Sequence, residues 1–270
     1  MKKLIYFILL FSLVCLSCDK KEELKKDFPN KLEESELIFE NKSLVKSYKD
    51  CRPTSENCSY ILFEYERISD GDFKDEINNT IDKELISISQ EFLESKNSNS
   101  LEEVCECFLN EYKDYKIKNK SRDVIWTMEI RGKRENYTPK VLSYSISNVN
   151  FLGGAHPNTK FKYINFDRKS GKLLSLNDIF IIGFEKKLNM ILDKIIRQNY
   201  MLKPEDNLSE KIGLFENKIE YTNNFAITKH GIKFYYNPLE IAPYSVGFIE
   251  LIIPYSELEE ILTPNSKARP

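Results

Sequence analysis

Apolar positions recur along this chain in two periods, and the change from one to the other marks its elements. Apolar and polar residues alternate from Ser43 to Lys49 and from Ser59 to Ile68, the pattern of half-buried strands. Phe73, Ile77, Ile81, Leu85, Ile88 and Phe92 then fall three or four apart. That spacing predicts a helix with one apolar stripe, capped by Asp70-Gly-Asp72. Asn97 to Ser100 breaks the pattern, and Leu101, Val104, Cys105, Phe108 and Tyr112 predict a second helix. Val124, Trp126, Met128 and Ile130 alternate with their neighbours, as do Leu142, Tyr144 and Ile146. The polar stretch from Gly132 to Thr138 between them reads as the turn of a hairpin.

Beyond Gly153-Gly154, Phe161 and Tyr163 mark another strand. Asp167 to Gly171 reads as a turn, with Gly171 free to take a positive φ. Asn177-Asp178 reads as the cap of a short helix. Phe184, Leu188, Ile191, Leu192, Ile195 and Ile196 give the clearest helical spacing in the chain. The charged region from Lys203 to Lys218 reads as a loop with a helical turn. Asn224 to Tyr236 predicts a hairpin turning at His230-Gly231, and Val246 to Ile253 a long buried strand. Pro254 opens a final helix with Tyr255, Leu258 and Ile261 or Leu262 inward. No internal repeat is visible. Strands and helices mix without a regular βαβ alternation, so the expected fold is α+β, a mainly antiparallel sheet packed with several helices.

Composition narrows the function classes. The 270 residues are 41% hydrophobic and 30% charged, with 17 Phe, 15 Tyr and one Trp. That is enough apolar material for a packed core, in one large domain or two small ones. Forty basic and forty-two acidic residues leave a net charge of -2, which excludes a strongly basic nucleic-acid binder. His156 and His230 are the two histidines, so a multi-histidine metal site is excluded; no metal or cofactor is expected.

The N-terminus reads as an address. Lys2 and Lys3 precede an apolar run from Leu4 to Leu16, too short to span a bilayer, which takes about 20 residues. Residues 1–17 have the form of a secretory signal. Cys15-Leu16-Ser17-Cys18 resembles a bacterial lipobox, with the small Ser17 before a lipidated Cys18, though Cys15 stands where Leu is usual. Cleavage removes two lysines and takes the charge from -2 to -4. Residues 18–42 then form a charged tether, densest in Lys and Glu from Asp19 to Lys31. The expected location is the cell envelope: a lipid-anchored membrane protein, at the outer membrane and facing periplasm or surface. Multiple acyl chains, at about 0.8 kcal/mol per buried CH2, hold such a protein firmly.

Four mature cysteines are disulfide candidates in an oxidising compartment. Cys51 and Cys58 flank the turn-rich Arg-Pro-Thr-Ser-Glu-Asn, and a bridge stapling that hairpin is the simplest reading. Cys105 and Cys107 stand two apart in a helical pattern, where side chains point about 200° from each other. Either that turn is not helical, or each pairs elsewhere, with Cys51 and Cys58 as partners. A four-cysteine zinc site is the sharper and less favoured alternative.

Two loops carry candidate chemistry. Gly153-Gly154-Ala155-His156-Pro157-Asn158 joins strand-like segments through a glycine pair that permits unusual backbone angles. His156 reads either as a site residue or as a ring that holds the loop together. A general base needs an orienting partner and a nucleophile, and no Gly-x-Ser-x-Gly elbow occurs. The second loop, Pro238 to Gly247, carries Tyr244, placed to pack on His156 or on a ligand. His230 reads as an exposed turn residue. The catalytic set is expected to be empty, and Gly153, Gly154, His156, Asn158 and Tyr244 are candidates for binding or loop-structuring.

A resemblance joins these pieces. Gly153-Gly154-Ala155-His156, Asn165-Phe-Asp167, Ser170-Gly-Lys172 and Leu176-Asn-Asp-Ile-Phe180 recur in one family. Phe234 to Tyr236, Glu240-Ile-Ala-Pro-Tyr244, Gly247 and Ile253-Pro-Tyr255 recur with them. The pattern resembles the C-terminal domain of RsiV-type lysozyme-sensing anti-sigma factors, with Pro157 in place of a common glycine. Residues 44–150 resemble the N-terminal segment of PdaC-like proteins. The implied organisation is a PdaC-like segment at 43–150, an RsiV-like domain at 151–262 and a tail at 263–270. In that family the sensor branch binds lysozyme.

The resemblance implies an extracytoplasmic binding module. An anti-sigma role needs a cytoplasmic segment and a spanning helix, and a deacetylase role needs a further domain with metal-binding histidines. The expectation is therefore a non-catalytic, lipid-anchored envelope protein that binds a lysozyme-like protein or a cell-wall glycan of the peptidoglycan type. A hydrolase using His156 and a structural or assembly lipoprotein are the alternatives.

Overall fold

Strand β1 (Ile38–Ser47) runs antiparallel to β2 (Tyr60–Asp70), and the chain then leaves the sheet for two helices, α1 (Lys74–Gln90) and α2 (Leu101–Lys118). It returns as β3 (Thr127–Tyr137), parallel to β2, and continues antiparallel through β4 (Val141–Phe151) and β5 (Asn158–Asp167). The computed structural model describes residues 36–120, 124–264 and 266. The five strands lie in sequence order, β1-β2-β3-β4-β5. A second, antiparallel sheet holds β6 (Phe225–Ile227), β7 (Gly231–Tyr236) and β8 (Ile249–Pro254). Between the sheets in sequence come α3 (Glu185–Asn199) and the short α4 (Leu208–Ile212), and α5 (Tyr255–Leu258) follows β8. The fold is α+β, as the mixed periodicity requires.

Each sheet has its own core. Ile77, Ile81, Leu85 and Ile88 of α1, with Val104, Cys105 and Phe108 of α2, bury themselves on Ile61, Phe63, Met128, Ile130, Tyr144 and Phe166 of the first sheet. On the second sheet, the α3 stripe Leu188, Ile191, Leu192, Ile195 and Ile196 packs with Phe234, Leu251 and Ile253. The buried positions within both helices are therefore ones the spacing predicts, while Phe73, Phe92 and Phe184 fall outside the helices.

Several local expectations change. Gly132 does not begin a turn: β3 runs on to Tyr137, and the connection shrinks to Thr138–Lys140. Gly132 is needed inside the strand because a Cβ there would stand 2.5 Å from Tyr144 Oη. The Asp70-Gly-Asp72 cap does not form, since Phe73 in the left-handed region (φ 57°) occupies the position before α1. Phe73 leaves the stripe and instead covers Gly171, where a Cβ would lie 2.6 Å from it. Asn177-Asp178 lies within a 3-10 turn, Leu176–Asp178, whose cap is Ser175. The last strand is shorter than Val246 to Ile253 and alternates, with Glu250 and Ile252 outward.

The tether boundary at residue 42 also moves, because Ile38 to Lys42 already pair with β2. β5 pairs with β4 over ten residues, so a division at residue 150 cuts through the first sheet. Cys51 and Cys58 form a disulfide with a Cα–Cα distance of 5.6 Å. Cys105 and Cys107 are free, which corrects the expectation that they pair. Their turn is helical, so Cys105 faces the core while Cys107 turns toward Ser98. The proposed signal (1–17), Cys18 and most of the tail lie outside the described residues. Among the described residues, no helix is long and apolar enough to cross a membrane.

Candidate functional site

The loop between β4 and β5 and the loop before β8 meet. His156 lies flat on Tyr244, with ring centroids 3.9 Å apart and planes 20° from parallel. Both residues also converge on one carbonyl. Tyr244 Oη donates to Pro157 O at 3.0 Å, and His156 Nδ1 lies 3.0 Å from the same oxygen. A carbonyl only accepts, so the Nδ1 that faces it is the donor. Both side chains are exposed, Tyr244 at 38%. Among the described residues, no carboxylate or hydroxyl is hydrogen-bonded to the His156 ring, which is oriented by the Pro157 carbonyl and the Tyr244 stack.

The glycines differ in use. Gly153 takes φ 85°, and a Cβ there would meet Val124 at 3.0 Å and Trp126 Nε1 at 3.4 Å. Gly154 has no left-handed angle and open surroundings. Trp126 Nε1 is buried without a hydrogen-bond partner among the described residues. Asn158 starts β5 and donates to Asn150 Oδ1, which stands in a buried amide relay: Asn150 donates to Asn148, and Asn148 to the Ile88 carbonyl. Asn158 thus ties this loop to α1. His230 sits exposed in the β6–β7 turn, and its backbone N–H donates to Thr228 Oγ1.

Behind the two loops lies a feature the periodicity did not mark. Phe161, Tyr163 and Tyr235 form an aromatic cluster over the small Ala226, with centroid distances of 4.7 to 6.3 Å. Phe248, 58% exposed, stacks on Tyr235 at 5.2 Å and 14°. Burial, and then the charge of Glu250, pushes the Tyr235 hydroxyl up to about 12.

Asparagine side chains hold this region together. Asn224 Oδ1 accepts from Tyr163 N and its Nδ2 donates to Phe161 O. Asn237 bonds both the N–H and the carbonyl of Phe161. In the opposite direction, Asn165 of β5 accepts from Ile227 N and donates to Phe225 O. Side-chain amides therefore take the place of a strand along the outer edge of β5. The available signal was polar asparagine inside otherwise apolar strand segments.

Two family models match the chain. Residues 52–159 match the one described as Deacetylase PdaC, and residues 177–256 the one described as a protein of unknown function, DUF3298. A curated relative, the peptidoglycan-N-acetylmuramic acid deacetylase PdaC of Bacillus subtilis (strain 168), is 27% identical over 129 residues. The alignment covers 47% of this chain and 27% of the relative, so the chain spans about a quarter of that protein's length. Among solved structures, a DUF3298 family member from Bacteroides fragilis superposes with a TM-score of 0.69 at 22% identity, over 85% of this chain and 94% of that one. One from Pseudomonas aeruginosa PAO1 gives 0.66 at 22%, over 88% and 98%. These likenesses show a shared fold. The expectation that the chain is not an enzyme is overturned by the match of residues 52–159 to a deacetylase model and by the deacetylase relative.

Proposed function

We propose that this chain is a cell-envelope protein that engages peptidoglycan-type glycan and takes part in its deacetylation. The observation that carries the reading is the match of residues 52–159 to Deacetylase PdaC, with a peptidoglycan deacetylase as aligned relative. Exposed, stacked rings at Tyr244 and Phe248 support it, because flat aromatic faces suit the apolar C–H faces of sugar rings. Lipidation at Cys18 would hold the protein at the membrane beside the wall. The resemblance to RsiV-type ectodomains adds a lysozyme-like protein as a partner, met by the region around residues 177–256.

The full chain, incubated with purified peptidoglycan, is expected to co-sediment saturably and to raise acetate release over a heat-treated control. Lysozyme added in excess is expected to compete for the bound protein. Absence of retention together with absence of acetate release would end this reading. Intact-mass measurement is expected to show an acylated chain starting at residue 18, and Cys18→Ala to abolish the acyl mass.

A further inference from the structure

We infer that β1 is a dimerisation edge: two copies of the chain pair along it, antiparallel and about a two-fold axis at Ser43, so that their first sheets become one. The sheet order β1-β2-β3-β4-β5 makes β1 an outer strand. Its ten residues pair with β2 on one side, and Glu40 to Ser43, Val45 and Lys46 are exposed. Tyr48 N–H donates to the Ser59 carbonyl at 2.9 Å, in register with the pairs Lys46–Ile61 and Leu44–Phe63. The even-numbered residues of β1 therefore turn their backbone groups to β2, and the odd-numbered ones turn theirs outward. Among the described residues, no strand meets the outward groups of Asn41, Ser43 and Val45. Such a row of N–H and C=O groups is a template for another strand. The segment holds no proline and no glycine, so every outward N–H is present.

The side chains select the occupant, and they select a second copy. The β1–β2 ladder shifts register between Ile38 and Phe39, so the regular edge runs from Phe39 to Ser47 and its midpoint is Ser43. An antiparallel copy with full overlap sets Ser43 against Ser43, Asn41 against Val45 and Phe39 against Ser47. It also sets Glu40 against Lys46, and the two-fold axis supplies that pair twice. Both ends of the pair are on hand: among the described residues Lys46 has no ion pair, and Glu40 reaches the exposed Lys42 on its own strand at 2.9 Å. Neighbouring registers lose this match. An axis at Lys42 brings the two copies of that lysine together, and an axis at Leu44 sets Lys42 against Lys46; like charges directly opposite destabilise a strand pair. An axis at Asn41 sets Glu40 against Lys42 but draws the irregular Ile38 into the ladder and leaves Ser47 outside it. Lysines on an open edge discourage pairing with other strands. On β1 they leave one register in which opposite charges face each other along the whole regular edge.

The test is crosslinking of the full chain with a short bismaleimide. Every variant carries Cys107→Ser, which removes the free thiol that is not buried, and this parent is the blank. Ser43→Cys is expected to give a covalent species of twice the chain mass. Asn41→Cys and Val45→Cys are each expected to give little of it alone, and as much as Ser43→Cys when combined, because each faces the other across the axis. On the Ser43→Cys chain, Glu40→Lys and Lys46→Glu are each expected to lower the dimer yield about tenfold, and the two together to restore it. Thermal melts confirm that these surface variants fold. No dimer from Ser43→Cys above the blank overturns the assignment. So does a dimer from Asn41→Cys alone in place of Ser43→Cys, or a double exchange that fails to restore the yield. A Ser43→Cys product of any other mass also overturns it, because the edge then serves a different partner. None of these residues enters the glycan reading, which stands or falls separately.

Discussion

A side-chain amide carries the same donor and acceptor as a peptide group, and this chain uses that equivalence repeatedly. Asn78 on α1 bonds both the N–H and the carbonyl of Ile68, and Asn237 does the same for Phe161, while Asn224 and Asn165 each join the N–H of one residue to the carbonyl two before it. Asn165 is 1% exposed, so its partners cannot turn to water if it is lost. Asn165→Ala strands the Phe225 carbonyl and the Ile227 N–H and is expected to cost about 3 kcal/mol. Asn223→Ala, at an exposed position, is expected to cost less than about 0.5 kcal/mol. Urea unfolding of both variants checks the contrast, and equal costs would show that the amide bonds at β5 are incidental. Gly132 makes a second argument at this scale. Gly132→Ala drives a methyl into Tyr144 Oη, itself held by the Glu66 carbonyl at 2.7 Å, and is expected to cost about 2 kcal/mol. A double-mutant cycle with Tyr144→Phe should then show coupling, because removing the hydroxyl removes the 2.5 Å contact and leaves those to Tyr65 Cβ at 3.0 Å and Tyr144 Cε1 at 3.1 Å.

Elements whose period is set by burial on one side were legible; those set by a single contact were not. The α1 and α3 stripes follow from spacing because a helix can bury only the residues that share its face. The β3–β4 hairpin was displaced because Gly132 and its polar neighbours look like a turn. Only Tyr144, twelve residues on, explains why a glycine belongs in that strand. The His156–Tyr244 stack was within reach, since both loops carried the residues, but the Phe161–Tyr235–Phe248 cluster was not. It depends on which strands meet across Ala226, a non-local fact. The cysteines divide in the same way. Cys51 and Cys58 close a local loop with a sequence separation of 7, and opening it by Cys51→Ser with Cys58→Ser is expected to cost about 2 kcal/mol. Cys105 is buried in α2, and desolvation, followed by the nearby charge of Glu102, pushes its thiol up to about 12. Alkylation of the native protein is therefore expected at Cys107 well before Cys105, with both reacting after denaturation. Peptide mass mapping reads the order, and equal labelling of the native chain would contradict the packing of α2.

At the scale of the molecule, tyrosines join elements distant in sequence. Tyr144 on β4 donates to the Glu66 carbonyl of β2, Tyr236 on β7 to the Glu220 carbonyl, and Tyr255 on α5 to the Thr228 carbonyl. Burial is the leading cause that raises all three, together with Tyr163 and Tyr235, above the ordinary tyrosine value; Tyr235 and Tyr255 reach about 12. The folded chain therefore favours the neutral phenols. Stability from a raised tyrosine is complete below its unfolded value near 10 and is lost as pH climbs through the folded value. With several such residues spread over both sheets, loss is expected to be cooperative, because ionising one phenol releases a carbonyl that another element needs. The urea midpoint should stay flat from pH 8 to about 10 and fall steeply between about pH 10 and 12. Tyrosinate absorbance should rise in two stages, first for exposed residues and then together with the loss of far-ultraviolet ellipticity. Tyr255→Phe, which removes a single hydroxyl at the edge of the second sheet, is expected to lower the midpoint at pH 8 and to leave a shallower alkaline fall. Smooth, single-stage ionisation across the folded protein would mean that these hydroxyls are not what ties the sheets and helices together.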